Sequence, residues 1–274
     1  MPAPSPSKVA AGPLGRTPLS AVIITRDEER DVGRTIGAVS FADEVLVVDA
    51  SSTDGTVAVC RSLGARVLEH AFDGFGPQKQ WAVSQAANDW VLCVDADEVV
   101  TAELAAAIRQ LLASGDPPCA AYRFRFLTVF LGHPLTHGQI SRRLHVRLFD
   151  RRRAGWTDAM VHERVLTDGP LGELPGAVLH YTVRDLSDSV AKMDAYSTLG
   201  ALDLVRRGKR RGGLALVFTP PVQFLKHYLV RQNFRNGMPG LAWSFMNAVG
   251  ATMKHLKARE LEAAGGTRSR QALP

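Results

Sequence analysis

Val91-Leu92-Cys93-Val94-Asp95-Ala96-Asp97-Glu98 is an apolar run that ends in three carboxylates within four residues. The apolar part reads as a buried strand. A carboxylate at the end of such a strand is costly unless a cation or hydrogen-bond donors meet it. A divalent ion carrying a phosphorylated substrate is one answer, because hard oxygen ligands suit Mg²⁺ or Mn²⁺. Asp-x-Asp alone is a weak signal, so its meaning depends on the surrounding chain.

Working outward, Leu19 to Thr25 (LSAVIIT) reads as a buried strand. A helix is expected from about Glu28 to Val39, with Asp27 as its cap. Glu44 to Asp49 is the next strand. The turn Ser51-Ser52-Thr53-Asp54-Gly55 leads to a helix that Gly64 stops. Arg66 to Glu69 forms a third strand, Gly74 to Pro77 a loop and Gln78 to Ala87 a helix. The opening stretch supplies the fourth strand, Trp90 to Val94. Thr101 then caps a helix whose apolar face holds Leu104, Ile108, Leu111 and Leu112. Four strand–helix alternations predict an α/β fold with a mostly parallel sheet covered on both faces. Ligands of such sheets bind at the carboxyl ends of strands. Thr25, Asp49 and Asp95 all occupy such ends, which makes them one site.

After Pro117-Pro118 the character changes. Tyr122 to Phe126, Leu144 to Phe149 and Val178 to Thr182 read as later strands, some antiparallel, with Arg- and His-rich loops between them. From Asp185 the pattern is helical: about Asp185 to Arg207, Pro220 to Phe234 and Pro239 to Arg259. The expected division is a disordered leader over 1–18 and a catalytic domain over 19–184. The latter splits into a nucleotide-binding half (19–115) and an acceptor half (116–184). A helical extension over 185–260 and a tail over 261–274 follow.

The chain has 274 residues, 46% hydrophobic and 22% charged, which fits a globular protein. Three widely spaced cysteines without Cys-x-x-Cys argue against a disulfide framework or a zinc site and fit a reducing compartment. No signal-peptide core and no run of about 18 apolar residues stand in the sequence, so a cytoplasmic location is expected. The formal charge of +6 suggests an anionic partner: nucleic acid, anionic lipid or phosphorylated sugar. Arg206, Arg207, Lys209, Arg210 and Arg211 form a cationic turn. Downstream, Leu241, Ala242, Phe245, Met246, Val249, Met253 and Leu256 share one helical arc. Together they suggest peripheral contact with the anionic inner face of a membrane, set against simple packing of that arc on the rest of the fold.

Ile23-Ile24-Thr25-Arg26-Asp27-Glu28-Glu29, Val47-Val48-Asp49-Ala50-Ser51-Ser52-Thr53-Asp54-Gly55-Thr56, Gly74-Phe75-Gly76-Pro77-Gln78-Lys79-Gln80 and Val94-Asp95-Ala96-Asp97-Glu98 follow one another in order. Arg147-Leu148-Phe149, Val161-His162-Glu163 and Leu179-His180-Tyr181 come after them. In order and spacing this set resembles inverting glycosyltransferases of family 2 with the GT-A fold, and most of all the bacterial lipopolysaccharide-core glucosyltransferase subgroup.

The resemblance implies a hexosyltransferase that takes a UDP-sugar or related nucleotide-sugar donor to a saccharide or glycolipid acceptor, with Mg²⁺ or Mn²⁺ on the diphosphate. Asp97 is then the first choice as metal ligand. Asp95 faces the ribose or shares the metal, and His162 or His180 completes the shell or orients a phosphate. Asp49 accepts from the base, Thr25 lies beside it, and Asp54 supports the turn or reaches the nucleotide. Lys79 meets the diphosphate, unless it is only a solvated helix cation. Glu98 reads as a helix-start charge. The catalytic base is Glu163, with Asp158 as runner-up. His162-Glu163 stands where many family members carry Glu-Asp. Trp156 reads as a half-buried aromatic or a sugar-stacking platform. Arg142, Arg143 and Arg151 to Arg153 surround the acceptor loop and suit acceptor phosphates.

Two other readings compete. A polyprenyl-phosphate glycosyltransferase needs no strong base, and the lack of apolar spans weighs against it. A basic nucleic-acid-binding protein would explain the charge, but it leaves the strand-end carboxylates unexplained.

Overall fold

The computed structural model describes residues 15–159, 163–208 and 212–263. His162, the Lys209-Arg210-Arg211 part of the cationic turn, most of the leader and most of the tail lie outside the described residues. The chain forms two compact units. One takes in the described residues up to Phe126 together with Leu144–His180, and the other takes in Leu127–Arg143 and the residues from Tyr181 on.

The first unit alternates as expected: β1 (Leu19–Thr25), α1 (Val32–Val39), β2 (Glu44–Asp49), α2 (Thr56–Ser62), β3 (Arg66–Glu69), α3 (Phe75–Ser84) and β4 (Trp90–Asp95). Then come β5 (Glu98–Val100), α4 (Ala102–Ala113) and β6 (Ala121–Phe130), whose last residues belong to the second unit with β7 (His133–Pro134). The chain returns through β8 (Leu144–Asp150), β9 (Ala154–Trp156), β10 (Val165–Thr167) and β11 (Leu171–His180). The sheet order is β3-β2-β1-β4-β8-β6-β11-β5. The β3-β2-β1-β4 part is parallel, and β8 joins β4 antiparallel.

β1 explains why both faces are covered. Its Leu19, Ala21 and Ile23 pack with Val32, Ile36 and Val39 of α1 and with Leu104, Ile108 and Leu112 of α4. Its Val22 points the other way, into a core with Ala82 and Val83 of α3, Leu46, Val48 and Phe149. A strand buried at nearly every position has no solvent face, as parallel sheets require.

Three local expectations need correction. Asp27 does not cap a helix. It takes positive φ (53°), its carboxylate accepts from the Thr53 N–H, and α1 starts only at Val32. Gly74 to Pro77 is not all loop, because α3 begins at Phe75. Proline is tolerated in a first helical turn, where its missing N–H leaves no bond broken. Glu98 starts no helix but lies in β5, 1% exposed.

In the second unit, α5 (Leu186–Arg206) starts at Asp185, whose carboxylate accepts from the Asp188 N–H. α6 (Gly213–Leu225) begins seven residues before the expected start at Pro220, runs through Pro220 and Pro221, and loosens into a wide turn over Lys226–Val230. α7 (Gly237–Ala263) packs on α5 and α6. The apolar arc read on α7 is divided. Ala242 and Met246 pack on Phe130, Leu135 and Ile140, whereas Phe245 and Leu256 stay exposed.

Candidate active site

Parallel pairing aligns the strand ends that the sequence marks. Thr25 pairs with Asp49 across β1–β2, and Ile24 pairs with Asp95 across β1–β4. The turn after β2 folds onto Asp49, whose two oxygens accept the Ser52 N–H (2.8 Å) and hydroxyl. Asp54 accepts the Thr56 N–H (3.0 Å) and hydroxyl and also the Glu29 N–H (3.2 Å). The Thr56 hydroxyl foremost holds the Asp54 carboxyl below its ordinary range. These bonds lace the loops after β1 and β2 together. Both acidic groups therefore have structural work in this state, and Asp49 is 1% exposed. The Thr25 hydroxyl, buried beside them, has no hydrogen-bond partner among the described residues.

Beyond Asp95 lies a dense charge cluster. Lys79, on α3, is 3% exposed, so it is no solvated helix cation. Its Nζ lies 2.7 Å from Glu163 Oε1 and 3.0 Å from Asp95 Oδ1. Arg147, on β8, reaches Glu98 Oε1 at 3.2 Å and Asp95 Oδ2 at 3.5 Å. The Asp95 N–H donates to Glu98 Oε2 at 2.9 Å. The indole of Trp156 lies beneath both cations, 4.9 Å from Lys79 Nζ and 5.1 Å from the Arg147 guanidinium carbon. A cation over an indole face is attracted by the ring quadrupole. Trp156 is buried, so it is more than the half-buried turn aromatic the sequence suggested.

Burial by itself would raise the Asp95 carboxyl. Lys79 and Arg147 outweigh it and hold the group well below the usual carboxylate range. In Glu98 burial wins over the opposing pull of Arg147, and the carboxyl is raised. Arg147 keeps its charge firmly, because Glu98 and Asp95 more than offset its desolvation. Among the described residues its Nε and Nη1 find no hydrogen-bond acceptor, although they are buried. A buried guanidinium with idle donors suits an anionic ligand.

Asp97 stands apart from that cluster and meets His180, with Nε2 3.3 Å from Oδ2. Antiparallel pairing of β11 with β5 sets His180 opposite Glu98. Burial lowers the His180 pKa, but the hydrogen bond and charge of Asp97 raise it further. Among the described residues, no group of three or more His, Cys, Asp or Glu side chains is arranged to hold a metal ion. Asp97 and His180 offer two donors. Of the two, the Asp97 carboxylate is the kind of oxygen donor that Mg²⁺ takes beside substrate phosphate and water. Asp158 is exposed and outside these contacts.

The sequence brought Lys79, Asp95 and Glu163 into view, and the fold groups them; Asp97 and His180, also singled out, form a separate pair. It missed Arg147 and Glu98 as members. The available signal was a lone cation, Arg147, between the apolar Val146 and Leu148 of the strand Leu144–Asp150.

Residues 20–171, more than half of the chain, match the model of glycosyl transferase family 2. The chain belongs to that family. This glycosyltransferase is 31% identical to the lipopolysaccharide core biosynthesis glycosyltransferase LpsC of Rhizobium meliloti, over 90% of its own length and 96% of LpsC. It is 32% identical to an uncharacterized glycosyltransferase of Rickettsia typhi, over 89% of its own length and 87% of that protein. Glucosyl-3-phosphoglycerate synthase of Mycobacterium tuberculosis overlaps 42% of the glycosyltransferase and 44% of its own chain. That overlap has 23% identity and a TM-score of 0.34, a likeness too slight to carry an argument.

Proposed function

We propose that the enzyme moves a sugar, with inversion, from a UDP-sugar to a saccharide or lipid-linked acceptor in assembly of the lipopolysaccharide core or a related envelope polysaccharide. Likeness to LpsC over nearly the whole chain supports the pathway. The observation that carries the chemistry is Lys79 between Asp95 and Glu163, at the carboxyl end of β4.

In this reading the nucleotide lies across the ends of β2, β1 and β4, where the Thr25 hydroxyl awaits a partner and Asp49 and Asp54 shape the turn. Lys79 and the idle donors of Arg147 face the diphosphate. Glu163 takes the proton of the attacking acceptor hydroxyl, as inversion in a single displacement requires. Its bond to Lys79 keeps that carboxylate in one orientation. Asp158 is the alternative base. Asp97, with His180 beside it, would hold Mg²⁺ or Mn²⁺, and Asp95, held by Lys79 and Arg147, would share the ion through water. When bound, the ion stabilises the departing diphosphate as a Lewis acid.

The direct test is hydrolysis of UDP-glucose, UDP-galactose, UDP-N-acetylglucosamine and GDP-mannose, each with and without Mn²⁺. One UDP-sugar is expected to turn over and EDTA to stop it. No turnover of any donor, together with no UDP binding, sinks the reading. Asp97→Ala should abolish turnover and weaken UDP binding in Mn²⁺; unchanged activity removes Asp97 from the site. Glu163→Gln should leave UDP binding intact and lower kcat by about 10²-fold or more. A wild-type rate passes the role to Asp158.

Peripheral contact with an anionic membrane belongs to the same reading. Support for it comes from α6, where Phe218, Val222 and Leu225 are exposed along one side.

A further inference from the structure

The second unit holds a cavity of about 430 Å³ whose charged lining is entirely cationic apart from a histidine: Arg142, Arg143 and Arg231 line it with His227, Asn233 and Trp243. An adjoining cavity shares Arg142 and Arg231 and adds Lys226. Among the described residues Arg142 and Arg143 have no acidic partner. Surface arginines normally find carboxylates or solvent, and three turned toward one concave space without an acid is an electrostatic cost.

The walls are fixed. Gly138 takes φ +82°, and a Cβ there would lie 2.3 Å from the Arg231 carbonyl oxygen, which accepts the Gln139 N–H at 3.1 Å. The Asn236 amide brackets His137, accepting its N–H at 2.9 Å and donating to its carbonyl at 3.0 Å. Both ties bind the segment that carries Arg142 and Arg143 to the one that carries Arg231. Burial first, then Arg231 and Lys226, push the His227 pKa down to about 4. The ring is therefore neutral, and its Nε2, 3.3 Å from Arg231 Nη1, accepts from the guanidinium. Asn233 is 2% exposed, yet among the described residues its Oδ1 has no hydrogen-bond donor. A buried acceptor of that kind calls for a ligand O–H or N–H.

We infer that this cavity binds a phosphorylated saccharide. The guanidinium groups match phosphate oxygens. The Asn233 oxygen takes a sugar hydroxyl, and the Trp243 indole, seated edge-on against Phe130 at 5.2 Å, offers an apolar wall to the ring. The volume suits a small ligand and not an extended polymer. The assignment of this ligand as the acceptor rests on the sugar-transfer reading; the binding itself does not.

The test is calorimetric titration of the full chain with glucose 6-phosphate, inorganic phosphate and glucose, and with phosphatidylcholine vesicles containing phosphatidylglycerol. Saturable binding of glucose 6-phosphate is expected, stronger than that of phosphate, with none for glucose. Arg231→Gln and the exposed pair Arg142→Gln/Arg143→Gln should each weaken it by about tenfold or more, the worth of a charge-assisted bond. UDP binding should not change. If neither phosphate ligand saturates, if the double variant binds like wild type, or if only the vesicles bind, the inference falls. Loss of UDP binding and donor hydrolysis in wild type would instead sink the proposed transfer and leave this site standing.

Discussion

Arg147 carries a full charge into the interior of the sheet, and Glu98 beside it has almost no solvent. Neither would be stable there alone. Removing one member of a buried pair leaves the other uncompensated, which costs about 3–5 kcal/mol. Arg147→Met should therefore destabilise the fold by that order in urea unfolding. Glu98→Gln in the same chain should recover much of it, because the orphaned charge is then gone. If the single variant unfolds like wild type, the pair does not carry that cost. The acidic residues of this site were legible because an apolar run that stops in carboxylates is rare without cause. Arg147 was hidden for a physical reason. Alternation in Leu144–Asp150 tells which face a residue takes but not which strand lies across from it. Glu98 misled because Thr101, three residues on, does cap a helix. The three-residue strand between them exists only through pairing with β11, far along the chain.

At the scale of elements, β1 to β4 and β8 were read to within a residue, β6 and β11 run well beyond the stretches read for them, and glycine and proline misled. Gly74 to Pro77 resembles a loop in composition but forms the first turn of α3. The glycine has another purpose. A Cβ on Gly76 would lie 2.1 Å from the Thr157 carbonyl oxygen and 2.6 Å from that of Ala159, and its N–H donates to Ala159 at 3.1 Å. The helix that carries Lys79 thus lies backbone to backbone against the loop leading to Glu163. Gly76→Ala must drive the two apart. A displacement near 1 Å at a reacting group can cost about 10²-fold in rate. A fall of that order in kcat is expected, with UDP affinity much less affected. Normal turnover in Gly76→Ala would mean that this contact does not position the base. In α6, Pro220 and Pro221 marked a plausible helix start. The apolar residues before them extend the helix, which runs on through both prolines and gives up two N–H donors there.

Over the whole molecule, charge and exposed apolar surface together bear on where the enzyme works. The net charge of +6 was legible from composition, but composition does not tell which surface uses it. Among the described residues, no helix is long and apolar enough to cross a membrane. The second unit instead exposes Phe218, Val222, Leu225 and Leu229 at helical spacing, with Val230 76% exposed, and Lys226 stands among them. Packing within the unit leaves these side chains in water, at a cost of about 1.5–3 kcal/mol for each that a bilayer interface would fully bury. An apolar stripe with cations at its edge is how a helix lies in an anionic interface. Sedimentation with phosphatidylglycerol vesicles should therefore bring the protein down, less so as salt rises and screens the cationic part. Phe218→Ser/Val222→Ser/Leu229→Ser should lower that binding by about tenfold or more, because each loses most of its transfer energy. It should leave UDP-sugar hydrolysis in solution unchanged, since none of the three belongs to the first unit. Equal sedimentation of variant and wild type would assign the attraction to charge alone and leave the apolar stripe without a membrane role.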